Sequence, residues 1–184
     1  KDNDVVTSIK LDGNEGLSGL MRLQLECMAK EPQNRETCTL EMVFSRIAAD
    51  SDPTFPETLD LSNSQLTDAR VQALAEALKK NTRVTTLDLR YNWGITADGG
   101  FAALARMLEV NTALTTLNLS SMDLADAHVQ ALAEGLKKNT RVTTLNLRFN
   151  GCITDAGGRA LLDMLRANTT IREIKLNTTS KNSS

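Results

Sequence analysis

The chain carries one histidine, His128, and imidazole is the side chain best suited to moving protons near neutral pH. A Ser-His-Asp reading would rest on that residue alone. No acid, Cys or Ser motif pairs with it in a recognisable arrangement, and no nucleophile-elbow motif is present. His128 is read as structural or solvated. Cys27, Cys38 and Cys152 are not in metal-ligand spacing and a second His is lacking; they read as reduced, partly buried thiols. Gly99-Gly100 and Gly157-Gly158 stand near helix starts, where backbone amides can cradle phosphate. Neither pair fits a Walker or dinucleotide pattern, and their recurrence at one repeat position points to turn geometry. No catalytic centre, metal, cofactor or small-molecule substrate is expected, and the chain reads as no enzyme.

The elements that hold these residues recur along the chain. Val71 to Arg90 returns as Val129 to Arg148, with 18 of 20 positions identical. Such self-similarity marks an array of one supersecondary unit. The period halves on inspection: apolar strand cores begin at Leu59, Leu87, Leu117, Leu145 and Ile174, almost evenly spaced. Between them, Val71, Leu74, Ala75 and Leu78 occupy one face of a helix, a pattern repeated at Leu104, Ala105 and Leu108, at Val129, Leu132, Ala133 and Leu136, and at Leu161, Leu162 and Leu165. Thr67 or Asp68, Asp98, Asp126 and Asp155 stand where a side chain can cap a helix start. Asn81, Asn111, Asn139 and Asn168 follow the helices, where Asn tolerates the left-handed position.

Only six residues are aromatic, so Leu, Ala and Val must build the interior. A net charge of −2 with mixed signs argues against nucleic acid or a polybasic membrane anchor as partner. No apolar run approaches the ~20 residues that span a bilayer. The opening residues contain no apolar signal-peptide core, and the reading is cytoplasmic. The start at Lys1 without Met suggests an excised fragment.

The segment LDLRYNWGITADGGFAALARMLEVNTALTTL resembles the leucine-rich repeat of the ribonuclease-inhibitor type, over roughly Thr58 to Leu176. ALARMLEVNTALTTLNL and ALLDMLRANTTIREIKL are similar to repeats of tropomodulin and leiomodin, proteins that cap or nucleate actin filaments. The resemblance implies an α/β fold: a right-handed solenoid arc with parallel strands inside and helices outside. Strands stack about 4.8 Å apart and helices about 8–10 Å, so stacking both forces a bend. Residues 1–56 read as a degenerate first repeat (Ile9-Lys10-Leu11, then Asn14) and a helical cap, with helices near Leu17–Ala29 and Thr39–Ala49. Residues 57–176 read as four full units and a final strand, and 177–184 as a disordered tail. The family places Asn in the turn after the strand. Asn92 and Asn150 comply, Ser64 and Met122 do not, and the Asn units have a longer turn. The unit of duplication is therefore a pair, and the ladder of turn asparagines is expected to be interrupted.

Alternation along the strands leaves an outward face for a partner. Its columns are Thr58, Thr86, Thr116, Thr144 and Glu173; Asp60, Asp88, Asn118, Asn146 and Lys175; and Ser62, Arg90, Ser120, Arg148 and Asn177. The middle column runs from acidic to basic and could orient a charged partner. Tyr91 and Phe149 follow the two arginines, either facing a partner or covering the rim of the core. Trp93, in a long turn, is expected to be exposed, because Gly151 holds the equivalent place. Aromatics and Arg are enriched at binding hot spots. Candidate binding residues are thus Asp60, Asp88, Arg90, Tyr91, Trp93, Asn118, Asn146, Arg148 and Phe149. Three functions remain open: a protein-interaction scaffold, an actin-filament protein of the cytoskeleton, or a regulator like ribonuclease inhibitor or a GTPase activator.

Overall fold

The computed structural model describes residues 40–51 and 55–177. Helix α1 (Leu40–Ala49) precedes strand β1 (Thr58–Asp60), after which helix and strand alternate. The order is α2 (Asp68–Leu78), β2 (Thr86–Asp88), α3 (Ala102–Leu108), β3 (Thr116–Asn118), α4 (Asp126–Lys138), β4 (Thr144–Asn146), α5 (Asp155–Ala167) and β5 (Glu173–Lys175). The five strands form one parallel sheet in chain order. Each residue pairs with its repeat equivalent: Leu59, Leu87, Leu117, Leu145 and Ile174 lie side by side, flanked by the Thr58 and Asp60 columns. Each helix packs on the next. The strand leucines from Leu59 to Leu145 and the helix leucines from Leu74 to Leu136 are buried between the layers. This is an α/β solenoid. The strand core at Ile9, the helix near Leu17–Ala29, Asn14, Cys27, Cys38 and the tail 178–184 lie outside the described residues.

At the corner leading from helix to strand, the asparagines do something other than expected. Asn139 and Asn168 have extended backbones, with φ of −70° and −89°, so they are not left-handed caps. Their side chains are buried and form a ladder instead. Asn81, Asn111, Asn139 and Asn168 donate Nδ2 to the carbonyls of Ile47, Leu78, Leu108 and Leu136, each one unit earlier, at 2.7–2.8 Å. Each Oδ1 accepts the amides two and three residues ahead. A helix C-terminus leaves carbonyls unpaired. Here the next unit's Asn takes one of them, so the ladder runs unbroken through every unit.

The opposite corner, from strand to helix, is interrupted as the turn residues indicated. Asn92 Nδ2 donates to Leu61 O and Leu89 O, while its Oδ1 accepts from Ser64 N and Leu66 N. Asn150 repeats this set on Leu119 O, Leu147 O, Met122 N and Leu124 N. Each Asn clamps the unit before it, so the corner ties first to second and third to fourth. The compact turns of units one and three direct two amides at that Asn through left-handed Gln65 and Asp123, at φ of 50° and 57°.

The helix starts follow the same pairing and correct the capping assignment. Thr96 and Thr154 are the caps, accepting from Gly99 N and Ala156 N. Asp68 and Asp126 reach instead across to the next unit: Asp68 takes the amide and hydroxyl of Thr96 and the amide of Gly100, and Asp126 those of Thr154 and the amide of Gly157. A methyl group at Gly157 would sit 2.6 Å from the Asp126 carboxylate, so the glycine is needed for the carboxylate to enter. Unit two contains one residue more than unit four between strand cores. A wide turn at Ala97–Phe101, where Phe101 N reaches Thr96 O, absorbs it.

Candidate functional site

Gly100 and Gly157, one from each of the glycine pairs read as turn residues, give their amides to carboxylates of the chain itself. Burial pushes the Asp68 carboxyl up, but hydrogen bonds from the Thr96 hydroxyl, the Thr96 amide and the Gly100 amide, aided by His128, hold it below its ordinary value. At Asp126 the Thr154 hydroxyl leads the same lowering, with the Thr154 and Gly157 amides, against burial. A hydrogen-bonded carboxylate favours its charged form. His128 accepts the Ala125 amide on Nδ1 at 3.1 Å and meets Phe101 edge-on, the ring centres 5.1 Å apart. Its place is structural. Cys152 is exposed and not, as expected, partly buried. Among the described residues no cluster of His, Cys, Asp and Glu could hold a metal ion.

The strand columns assemble in the expected register, and their polar atoms are largely engaged. Asp60, Asp88, Asn118 and Asn146 each accept the amide two residues ahead, closing the turn after the strand. Asp88 also pairs with the Arg90 guanidinium at 2.9 Å and accepts from Asn118 Nδ2 at 3.1 Å. At the basic end Lys175 pairs with Glu173 at 3.4 Å. The column that differs in charge from end to end is thus neutralised locally, and Arg90 is turned toward Asp88.

The rim where strands run into turns is different. Tyr91, Trp93 and Phe149 are 43%, 62% and 69% exposed, so none of them covers the core. The Tyr91 and Trp93 rings stand 6.2 Å apart at 60°. Phe149 lies two strands away, about 10 Å along the sheet. Arg148 beside it is exposed and makes no ion pair among the described residues. The backbone explains the position. Asn63, Tyr91, Ser121 and Phe149 all sit at φ between 50° and 60°, the left-handed residue each unit needs to leave its strand. Asn suits that conformation; a bulky aromatic does so at a cost of about 1–2 kcal/mol. The sequence pointed to these aromatics by type and neighbour; the left-handed geometry leaves no signal in a Tyr or a Phe.

A stacked parallel ribbon of strand leucines with asparagine at its corners, in units of nearly constant length, decides the family. This is a leucine-rich repeat protein. The family model described as "Leucine Rich repeat" matches residues 80–102 and 138–162. Among solved structures, "Leiomodin-1 Actin-Binding Site 2 (ABS2)" is similar in fold, with a TM-score of 0.65 and 22% identity over 74% of this chain and 78% of that one. No curated protein matches the sequence. No described helix of the leucine-rich repeat array is long and apolar enough to cross a membrane.

Proposed function

We propose that this leucine-rich repeat protein is a non-enzymatic cytoplasmic scaffold that binds a protein partner along the rim carrying Tyr91, Trp93, Phe149 and Arg148. One observation carries the reading: two bulky aromatic side chains occupy left-handed positions, exposed, where the fold itself is served by Asn63 and Ser121. Strain at exposed residues outside the core points to a use outside the fold. Arg and aromatics offer the contact types that dominate protein interfaces. The test is proximity labelling with the wild type and with Tyr91→Asn/Trp93→Ser/Phe149→Asn. The variant loses the enriched partners while its folding stability rises by about 1 kcal/mol for each relieved left-handed residue. Equal capture by both proteins would overturn the choice of surface.

A second reading, actin binding, is favoured by the likeness to an actin-binding site of leiomodin-1. It predicts cosedimentation with actin filaments and slower pyrene-actin growth from gelsolin-capped seeds. Unchanged growth and no cosedimentation would eliminate it and leave the scaffold reading standing.

A further inference from the structure

The fourth unit ends the described array on an open face. In α2, α3 and α4, Ala75, Ala105 and Ala133 are buried, and so are Leu78, Leu108 and Leu136, each covered by the helix that follows. In α5 the equivalent residues are Leu162 and Leu165, 58% and 40% exposed, with Leu176 at 43% beside them. Together with Leu161 and Ile174 they line a groove of about 500 Å³. The change from Ala to Leu is informative. Small residues at this position let the next helix approach closely, as Ala105 does where it meets Gly135 of α4. A leucine at 162 fills the room that Ala75, Ala105 and Ala133 leave for the helix that follows them. The face is shaped for something set farther off.

The strand beside that helix is an open edge. Glu173 and Lys175 turn their backbone groups toward β4, since Glu173 N reaches Thr143 O and Leu147 N reaches Lys175 O. By alternation, Ile174 directs its N–H and C=O outward, where no strand covers them among the described residues. Such an edge is a template for another strand.

Charge selects the occupant. Strand β5 reads Glu-Ile-Lys, a sequence complementary to itself when antiparallel. A second copy turned by 180° about an axis midway between the two Ile174 residues exchanges both of their backbone hydrogen bonds. It also sets Glu173 of each copy opposite Lys175 of the other. The axis runs perpendicular to the sheet, and the same rotation brings the groove of each copy, with its exposed Leu162 and Leu165, toward that of the other. We infer that this end of the solenoid is a twofold interface for a second copy of the same chain. A surface that must match itself is what such a symmetric interface requires.

Sedimentation velocity of the full chain across the micromolar range tests this. The wild type forms a reversible dimer. Lys175→Glu places like charges opposite each other twice and weakens it about tenfold. The swap Glu173→Lys/Lys175→Glu restores complementarity and wild-type affinity, and Leu162→Asp leaves a monomer. All three positions are on the surface, and unchanged circular dichroism and melting confirm that the fold is retained. A monomer at every concentration would overturn the inference, whether another segment or another protein covers the face. So would a dimer indifferent to Lys175→Glu, or one that the charge swap fails to restore.

Discussion

The junctions inside the two pairs of units and the junction between the pairs are held differently. Inside each pair, a turn asparagine and a helix-start aspartate cross from one unit to the other: Asn92 and Asp68 in the first pair, Asn150 and Asp126 in the second. Between the pairs, where α3 meets α4, Met122 replaces the asparagine, and among the described residues no carboxylate reaches across the helix starts. Phe101 there meets His128 edge to face, and Gly135 lets α4 approach the Ala105 backbone. At the strand-to-helix corner and the helix starts, directional side-chain bonds cross inside a pair, whereas close apolar fit takes their place between pairs. At the other corner Asn139 bonds across the centre as its equivalents do elsewhere. The Asn92 clamp depends on a compact turn in the unit before it, and the unit before Met122 has a long one. Alternating turn lengths and alternating clamps are therefore one feature, which is why the duplication copied two units at once.

The largest effect is expected from Asn139, the buried polar side chain that ties the central junction at the other corner, where the Lys138–Glu109 pair and the Arg141 bond to Thr112 O are exposed. Asn139→Ala removes bonds to Leu108 O and to the amides of Arg141 and Val142, all buried or partly buried. Leaving such groups unpaired costs about 3 kcal/mol. Urea denaturation should show that loss, with a second transition as the pairs separate. Loss of less than about 1 kcal/mol, in one transition, would mean that Asn139 is not what holds the centre.

Gly135 probes that fit directly. It is one of only two differences in the duplicated stretch, matched by Ala77 in the other copy. A Cβ added there would lie 2.6 Å from the Ala105 Cα, so backbone has to move. Gly135→Ala is expected to lower stability by about 2 kcal/mol through overpacking, despite alanine's better helix propensity. The reciprocal Ala77→Gly should cost about 1 kcal/mol, the ordinary penalty of helical glycine. Equal and opposite effects at the two sites would show that the junctions do not differ in spacing.

Much of this was legible in the residues. The leucine pairs set the strands and their register, and Asn92 and Asn150 against Ser64 and Met122 announced the interrupted corner. The other corner was misread because an Asn after a helix looks like a left-handed cap when only its neighbours are considered. The carbonyls that Asn111 and Asn139 satisfy lie a whole unit back. Asp68 misled in the same way, since its partners Thr96 and Gly100 belong to the unit ahead. The wide turn at Ala97–Phe101 did leave a trace: the step from Leu87 to Leu117 is one position longer than that from Leu145 to Ile174. Local rules recover what a unit does for itself; what it does for its neighbour becomes visible once the stacking is known.

Acid should discriminate the junctions most gently. The Asp68 and Asp126 carboxyls are held below their ordinary value in the folded chain by the hydrogen bonds they accept from the next unit. A depressed folded pKa contributes stability that is complete above the unfolded value, near pH 4, and is lost as pH falls through the folded one. Melting temperature should therefore decline below about pH 4, and less steeply in Asp68→Asn/Asp126→Asn, which keeps an acceptor oxygen but no titrating charge. Hydrogen exchange should locate the loss at the amides of Thr96, Gly100, Thr154 and Gly157, inside the pairs. Amides where α4 packs on α3 should keep their protection, because no aspartate bridges those helix starts. If acid loosened both kinds of junction alike, or the double variant followed the wild-type profile, the carboxylates would not be what distinguishes them.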